Sequence, residues 1–120
     1  MPAHILENAA TLDPATFTDW GTVSKPIGEP ISKQSGLIFF QNDDKTSEMG
    51  LWQCTPGTWR CEVSKDEFFY VLDGNAVYTE DDGTVTEISA GMTCAFPAGW
   101  KGDCTVVQTI RKGYMVREWP

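Results

Sequence analysis

GTWRCEVSKDEFFYVLDG, residues 57–74, and GMTCAFPAG, residues 91–99, are the stretches whose spacing decides the fold of this 120-residue chain. The first closes with Glu67, six residues and Gly74; the second reads glycine, five residues, proline, one residue, glycine. EFFYVLD is apolar on both alternating faces, so as a strand it fills a core on one side and needs a second cover on the other. Gly74, in LDGN, predicts the left-handed backbone of a tight hairpin, and Gly91 does the same before the next strand. Pro97 with Gly99 predicts a sharp bend. These residues build turns, so they speak for a fold; chemistry must come from side chains on the strands between them.

Outward from these stretches the texture repeats. After Gly36, short apolar runs alternate with turn residues: GLIFFQ, GLWQCT, TWRCEV, EFFYVLD, AVYTED, TVTEI, MTCAFP, CTVVQTI and KGYMVRE. Such spacing predicts an all-β sandwich or barrel over residues 36–120. Residues 1–35 carry Pro2, Pro14, Pro26 and Pro30 with little periodicity and are expected to form an extended N-terminal arm. Within it, DPATFTDW predicts a helical turn starting at Asp13, with proline at the first position after an aspartate cap.

Composition narrows the function classes. A chain of this length makes one domain that buries about two-thirds of its unfolded surface. A net charge of −8 argues against nucleic acid, because an acidic surface repels phosphates. No apolar run approaches the ~20 residues of a membrane helix. The start, MPAHILENAATLDPATF, lacks a charged n-region and apolar core, so the expected address is the cytoplasm. Cys54, Cys61, Cys94 and Cys104 form no C-x-x-C pair and are expected as reduced, buried strand residues.

Over residues 51–119, the stretches LWQCTPGTWR, DEFFYVLDG, GMTCAFPAGWKG and TIRKGYMV resemble the small single-domain cupins grouped with ureidoglycine aminohydrolase and ethanolamine-utilisation type domains. The resemblance implies a double-stranded β-helix, a jelly-roll barrel with one open mouth and its function inside. In metal-binding cupins the first signature carries two histidines a residue apart before the glutamate. The second carries another histidine three residues after its last glycine. Here a four-residue gap before Glu67 puts the first two positions at Arg60 and Glu62, and a three-residue gap puts them at Cys61 and Val63. Strand alternation lets only one pair face inward. The remaining position is Gly102, and the chain's only imidazole is His4, in the arm, to which no role is assigned. A transition metal needs three or four N, O or S ligands. With Glu67 the sole survivor, the expectation is a barrel without metal or other cofactor, and the metal-dependent activity of ureidoglycine aminohydrolases is not transferred to it.

Candidate site residues follow. Arg60, Glu62 and Glu67, if all inward, would form a charged cluster that holds a small polar ligand or neutralises itself. Glu67 is the candidate catalytic carboxylate. Lys101, Arg111, Lys112 and Tyr114 are expected to rim the mouth and attract a small anion, although Lys101 and Lys112 read more readily as solvated surface. Cys61 and Cys104 have no histidine partner to activate them. The second face of EFFYVLD is covered by the N-terminal arm or by another subunit, and with the family likeness the expectation is a homodimer. The expected function is a metal-free cytoplasmic domain binding a small polar metabolite. The alternatives are a small enzyme acting on a ureide, amide or sugar-like metabolite through Glu67, and a structural or assembly subunit.

Overall fold

The computed structural model describes residues 2–118; Met1, Trp119 and Pro120, the last two closing the expected barrel, lie outside it. A single 3₁₀ turn, Pro14–Thr16, opens the ordered architecture where DPAT predicts it, and the Asp13 side chain accepts a 2.9 Å hydrogen bond from the Ala15 N–H as its cap. The strands that follow are β1 (Thr18–Thr22), β2 (Lys33–Gln41), β3 (Ser47–Cys54), β4 (Gly57–Glu62), β5 (Asp66–Glu80), β6 (Val85–Ser89), β7 (Thr93–Phe96) and β8 (Lys101–Arg117). All their pairings are antiparallel.

Two long strands make this sheet a barrel. The C-terminal half of β8 pairs with β3 and with the start of β5, while its N-terminal half pairs with β4 and with the end of β5. β6 and β7 flank opposite ends of β5. Thus β5 and β8 each run through both layers of a jelly roll, bending between them. The bend in β5 falls at LDGN, which is not the hairpin that its composition predicts: the register with β8 slips between Val71 and Ala76 instead, and β5 continues. Gly74 there has φ +80°, and a Cβ would strike the Thr109 carbonyl oxygen of β8 and approach Ile110 Cα to 2.7 Å. Likewise CTVVQTI and KGYMVRE, expected as two strands, form the single strand β8.

The core fills the space between the layers: Val71, Phe69, Ile110, Cys54, Val106, Cys104, Ala76, Ile88, Tyr78 and Phe96 are buried together. Part of the N-terminal region is built into the sheet. β1 pairs along β2 as the edge strand, and the backbone around Lys25–Ile27 bonds to β4 through Arg60 N–H to Lys25 O and Ile27 N–H to Thr58 O. Those bonds cover an edge that would otherwise template aggregation. Farther upstream, Ala9 and Phe17 pack on Arg111, while His4 meets Phe40 edge-on at 4.7 Å on the outer face.

Candidate functional site

Strand alternation sorts the candidates. On β8, Ile110, Lys112, Tyr114 and Val116 point into the barrel, whereas Arg111, Gly113 and Met115 point out, toward the N-terminal residues. Register then builds inward rows across three strands. Glu48, Val116 and Glu67 share one row; Gly50, Tyr114 and Phe69 the next; Trp52, Lys112 and Val71 the third. Gly50 belongs under Tyr114, because a Cβ would come within 2.9 Å of the phenol oxygen. From the opposite wall β4 contributes Trp59 and Cys61, and Val63 follows beyond its end.

The result is a cavity of about 360 Å³ with aromatic walls, among them Trp20, Trp52, Trp59, Tyr78 and Phe96. Its polar groups are few and paired. Lys112 Nζ lies 3.5 Å from Glu67 Oε2, with the Phe69 ring 3.8 Å and the Trp52 ring 4.3 Å away. The lysine side chain is only 8% exposed and that of Glu67 22%. Tyr114 donates a 2.6 Å hydrogen bond to Glu48, and the Trp52 indole N–H donates to Gln34 at 3.0 Å. Burial, and then that bond to Glu48, push the Tyr114 hydroxyl far above its ordinary value, and burial does the same for Tyr78. Burial also raises the Cys61 and Cys104 thiols, so both stay protonated and unreactive near neutral pH.

The structure resolves the two readings of the first signature. The three-residue gap holds: Cys61 and Val63 face the cavity, and Arg60 and Glu62 do not. Arg60 forms a bidentate pair with Asp81 at 2.5 and 2.8 Å and lies 3.6 Å from Asp103. Glu62 pairs with Lys25 at 2.8 Å. The expected Arg60–Glu62–Glu67 cluster is therefore not assembled; its first two members make exposed ion pairs on the barrel's outside. Lys101 is exposed and does not line this cavity. Arg111 is buried on the outer face, donating to Gln53 at 3.0 and 2.8 Å and to Ala9 O at 3.1 Å, so it fastens the N-terminal segment. Of the expected ligand residues, Glu67 and Tyr114 line the cavity. Lys112, which reads more readily as solvated surface, is the buried cation beside them. It lies one step beyond the alternation Gly102, Cys104, Val106, Gln108, Ile110, and extending that alternation through TIRKGYMV places it inside, although Gln108 on the same alternation is exposed. Glu48 and Trp52 follow from the same alternation with Cys54.

The match of a family model, described as the EutQ-like cupin domain, covers residues 41–114. This chain belongs to that family of cupins. A protein of unknown function from Pseudomonas syringae pv. tomato superposes with a TM-score of 0.76 at 20% identity, over 83% of this chain and 43% of its own length. The EutQ protein of Clostridium difficile gives 0.63 at 22% identity, over 80% of this chain and 79% of its own. A Thermotoga maritima protein gives 0.52 at 26% identity, over 53% of this chain and 73% of its own. This cupin thus spans less than half the length of the Pseudomonas protein. No curated protein matches the chain.

The metal ion that the cupin signatures imply does not fit these residues. Of the four positions, Cys61 and Glu67 face the cavity with donor atoms, Val63 has none, and Gly102 lies under the Trp100 ring, 2.7 Å from where its Cβ would be. Trp100 in turn stacks on Phe96 with centroids 4.4 Å apart, filling that end with carbon. Among the described residues no three His, Cys, Asp or Glu side chains are grouped to hold a metal. The decisive obstacle is Lys112. A divalent ion on Glu67 would compete with an ammonium already 3.5 Å from Oε2, and the like charges would repel each other by several kcal/mol at an effective dielectric constant near 20.

Proposed function

We propose that this cupin binds a small polar metabolite in its barrel cavity, without a metal ion, as a cytoplasmic binding or sensing domain. The observation that carries the reading is the convergence of aromatic walls on one buried ammonium–carboxylate pair. Flat apolar surface stacks against Trp52 and Trp59, while Lys112, Glu67, Glu48 and Tyr114 supply donors and acceptors that orient a polar end. Thermal shift and tryptophan fluorescence over a metabolite panel test it. A ligand should raise the melting temperature in proportion to its occupancy, and Trp52→Ala should abolish the shift. A panel that includes the true ligand class but gives no shift, or a shift that survives Trp52→Ala, sinks the proposal.

A second reading, an enzyme acting through Glu67 on a ureide, amide or sugar-like metabolite, is favoured by one observation: Glu67 lines the cavity and faces the buried lysine. Turnover lost in Glu67→Gln with ligand affinity retained distinguishes catalysis from binding. A homodimer is proposed through the outer face of β5 and β8, where Phe68, Tyr70 and Met115 are more than a third exposed. Sedimentation equilibrium tests it: a chain that remains monomeric at millimolar concentration rules the dimer out.

A further inference from the structure

The misfit with a metal ion has a positive side: the barrel carries its own cation. We propose that the Lys112 ammonium is the ligand-anchoring group, and that it selects an uncharged oxygen acceptor, a carbonyl or hydroxyl, on a flat apolar body. This deepens the binding role above and rests on it.

Three observations carry the inference. The first is supply of donors. An ammonium has three N–H groups, and among the described residues Glu67 is its one hydrogen-bonding partner, at 3.5 Å. The aromatic faces of Trp52 and Phe69 hold the charge without accepting a directed bond from lone pairs. A ligand oxygen reaching Nζ would complete a coordination that the protein leaves unfinished.

The second is charge. The cavity is lined by Glu48, Glu67 and Lys112, with Tyr114, Tyr78, Cys61 and Cys104 held protonated. Two carboxylates against one ammonium leave a single negative charge in excess. An anion reaching for Lys112 meets that excess and competes with Glu67, while a cation, although drawn by the excess, meets like charge at Nζ and offers it no acceptor. A neutral dipole suffers neither penalty.

The third is shape. Trp52 belongs to both parts of the site, its ring face toward Lys112 and its indole N–H tied to Gln34. Trp59 lies 6.4 Å from it, centroid to centroid, and tilted by 55°, so the two indoles brace each other and present an apolar wall that is oriented before a flat ligand arrives.

The test uses three probes that share a benzene ring and differ in charge: acetophenone, benzoate and benzylammonium, titrated by NMR against the whole ¹⁵N-labelled chain while the indole N–H signals are followed. Acetophenone should bind at least ten-fold more tightly than either ion, and Lys112→Met should weaken it at least ten-fold whereas Lys101→Met leaves it unchanged. The order of the probes on the wild-type chain stands even if Lys112→Met fails to fold. Benzoate or benzylammonium binding as well as acetophenone overturns the anchoring role, as does equal binding of acetophenone to a folded Lys112→Met; in both cases the binding role of the cavity survives. If no probe perturbs the Trp52 indole signal, the anchoring role and the binding role fall together.

Discussion

Glu67→Gln removes the one anionic partner that Lys112 has among the described residues and keeps the shape of the side chain. At 3.5 Å the attraction between the two charges is roughly 5 kcal/mol for an effective dielectric constant near 20. Three effects reduce what the substitution costs. The amide oxygen still accepts a hydrogen bond, the rings of Trp52 and Phe69 keep about 2 kcal/mol of cation–π attraction, and the variant no longer desolvates a carboxylate. The net loss should be about 2 kcal/mol, below the ~3–5 kcal/mol typical of breaking a fully buried pair. In a domain of this size each kcal/mol moves the melting temperature by roughly 4 °C, so the variant should melt about 8 °C lower. Calorimetry at pH 7 in 0.1 M and 1 M salt measures it, and the difference should persist at high salt because a pair inside the barrel is poorly screened. Glu62→Gln is the internal comparison: its partner Lys25 and Glu62 itself are both about half exposed, and the melt should be close to that of the wild type. A Glu67→Gln melt indistinguishable from wild type, or a difference that disappears in 1 M salt, refutes the buried pair.

Gly74→Val should cost more than about 3 kcal/mol, combining a strained left-handed backbone with collision against β8; Gly83→Ala, also at positive φ but with nothing within 4 Å of its Cβ, should cost about 1 kcal/mol, and urea titration compares them. Stability should fall in alkali. Burial pushes the Cys54 thiol up to about 11 from 9.0, so between those values the unfolded chain binds fewer protons than the folded one, and stability declines as pH rises by up to about 2–3 kcal/mol from this group alone. Urea midpoints at pH 8 and 10.5 check the sign, and Cys54→Ala should flatten the slope. Lys112→His replaces the repelling ammonium with a neutral imidazole near Cys61 and Glu67, and cobalt should bind at least ten-fold more tightly than to the wild type, with a thiolate charge-transfer band; equal cobalt affinity in both chains contradicts the electrostatic account of the misfit.

How much was legible follows from what each signal encodes. The Glu67-to-Gly74 and Gly91-to-Gly99 spacings encode backbone turns, so they identified the family and the jelly roll, and Asp13-Pro14 marked its 3₁₀ turn. They did not distinguish a hairpin at LDGN from a bend within one strand, because both use a glycine at positive φ; the difference lies in β8, which stays paired alongside. Arg60 and Glu62 are one of two pairs that counting back from Glu67 offers to the interior, and the count does not report how many residues the turn takes up. Their partners Asp81 and Lys25 lie 21 and 37 residues away, beyond any local pattern. Lys112 reads as a rim residue or as solvated surface because lysine is rarely buried, and that expectation outweighs an alternation that points inward.

The turn around residues 64–66 therefore decides the chemistry of the barrel. Val63 N–H donates to Trp100 O, Gly99 N–H donates to Val63 O, and Asp66 accepts from Ala98 N–H, so the loop after β4 is tied to the PAG bend from both sides. Those bonds set the gap before Glu67 at three residues and turn Cys61 and Val63 inward. One residue more would bring Arg60 and Glu62 to the cavity, where an arginine, a glutamate and Glu67 would join Lys112. With the shorter gap the wall opposite β8 presents a thiol and an isopropyl group, neither charged. Lys112 then has no second anion across the cavity to bind it, and its remaining hydrogen-bonding capacity is left for whatever enters the barrel.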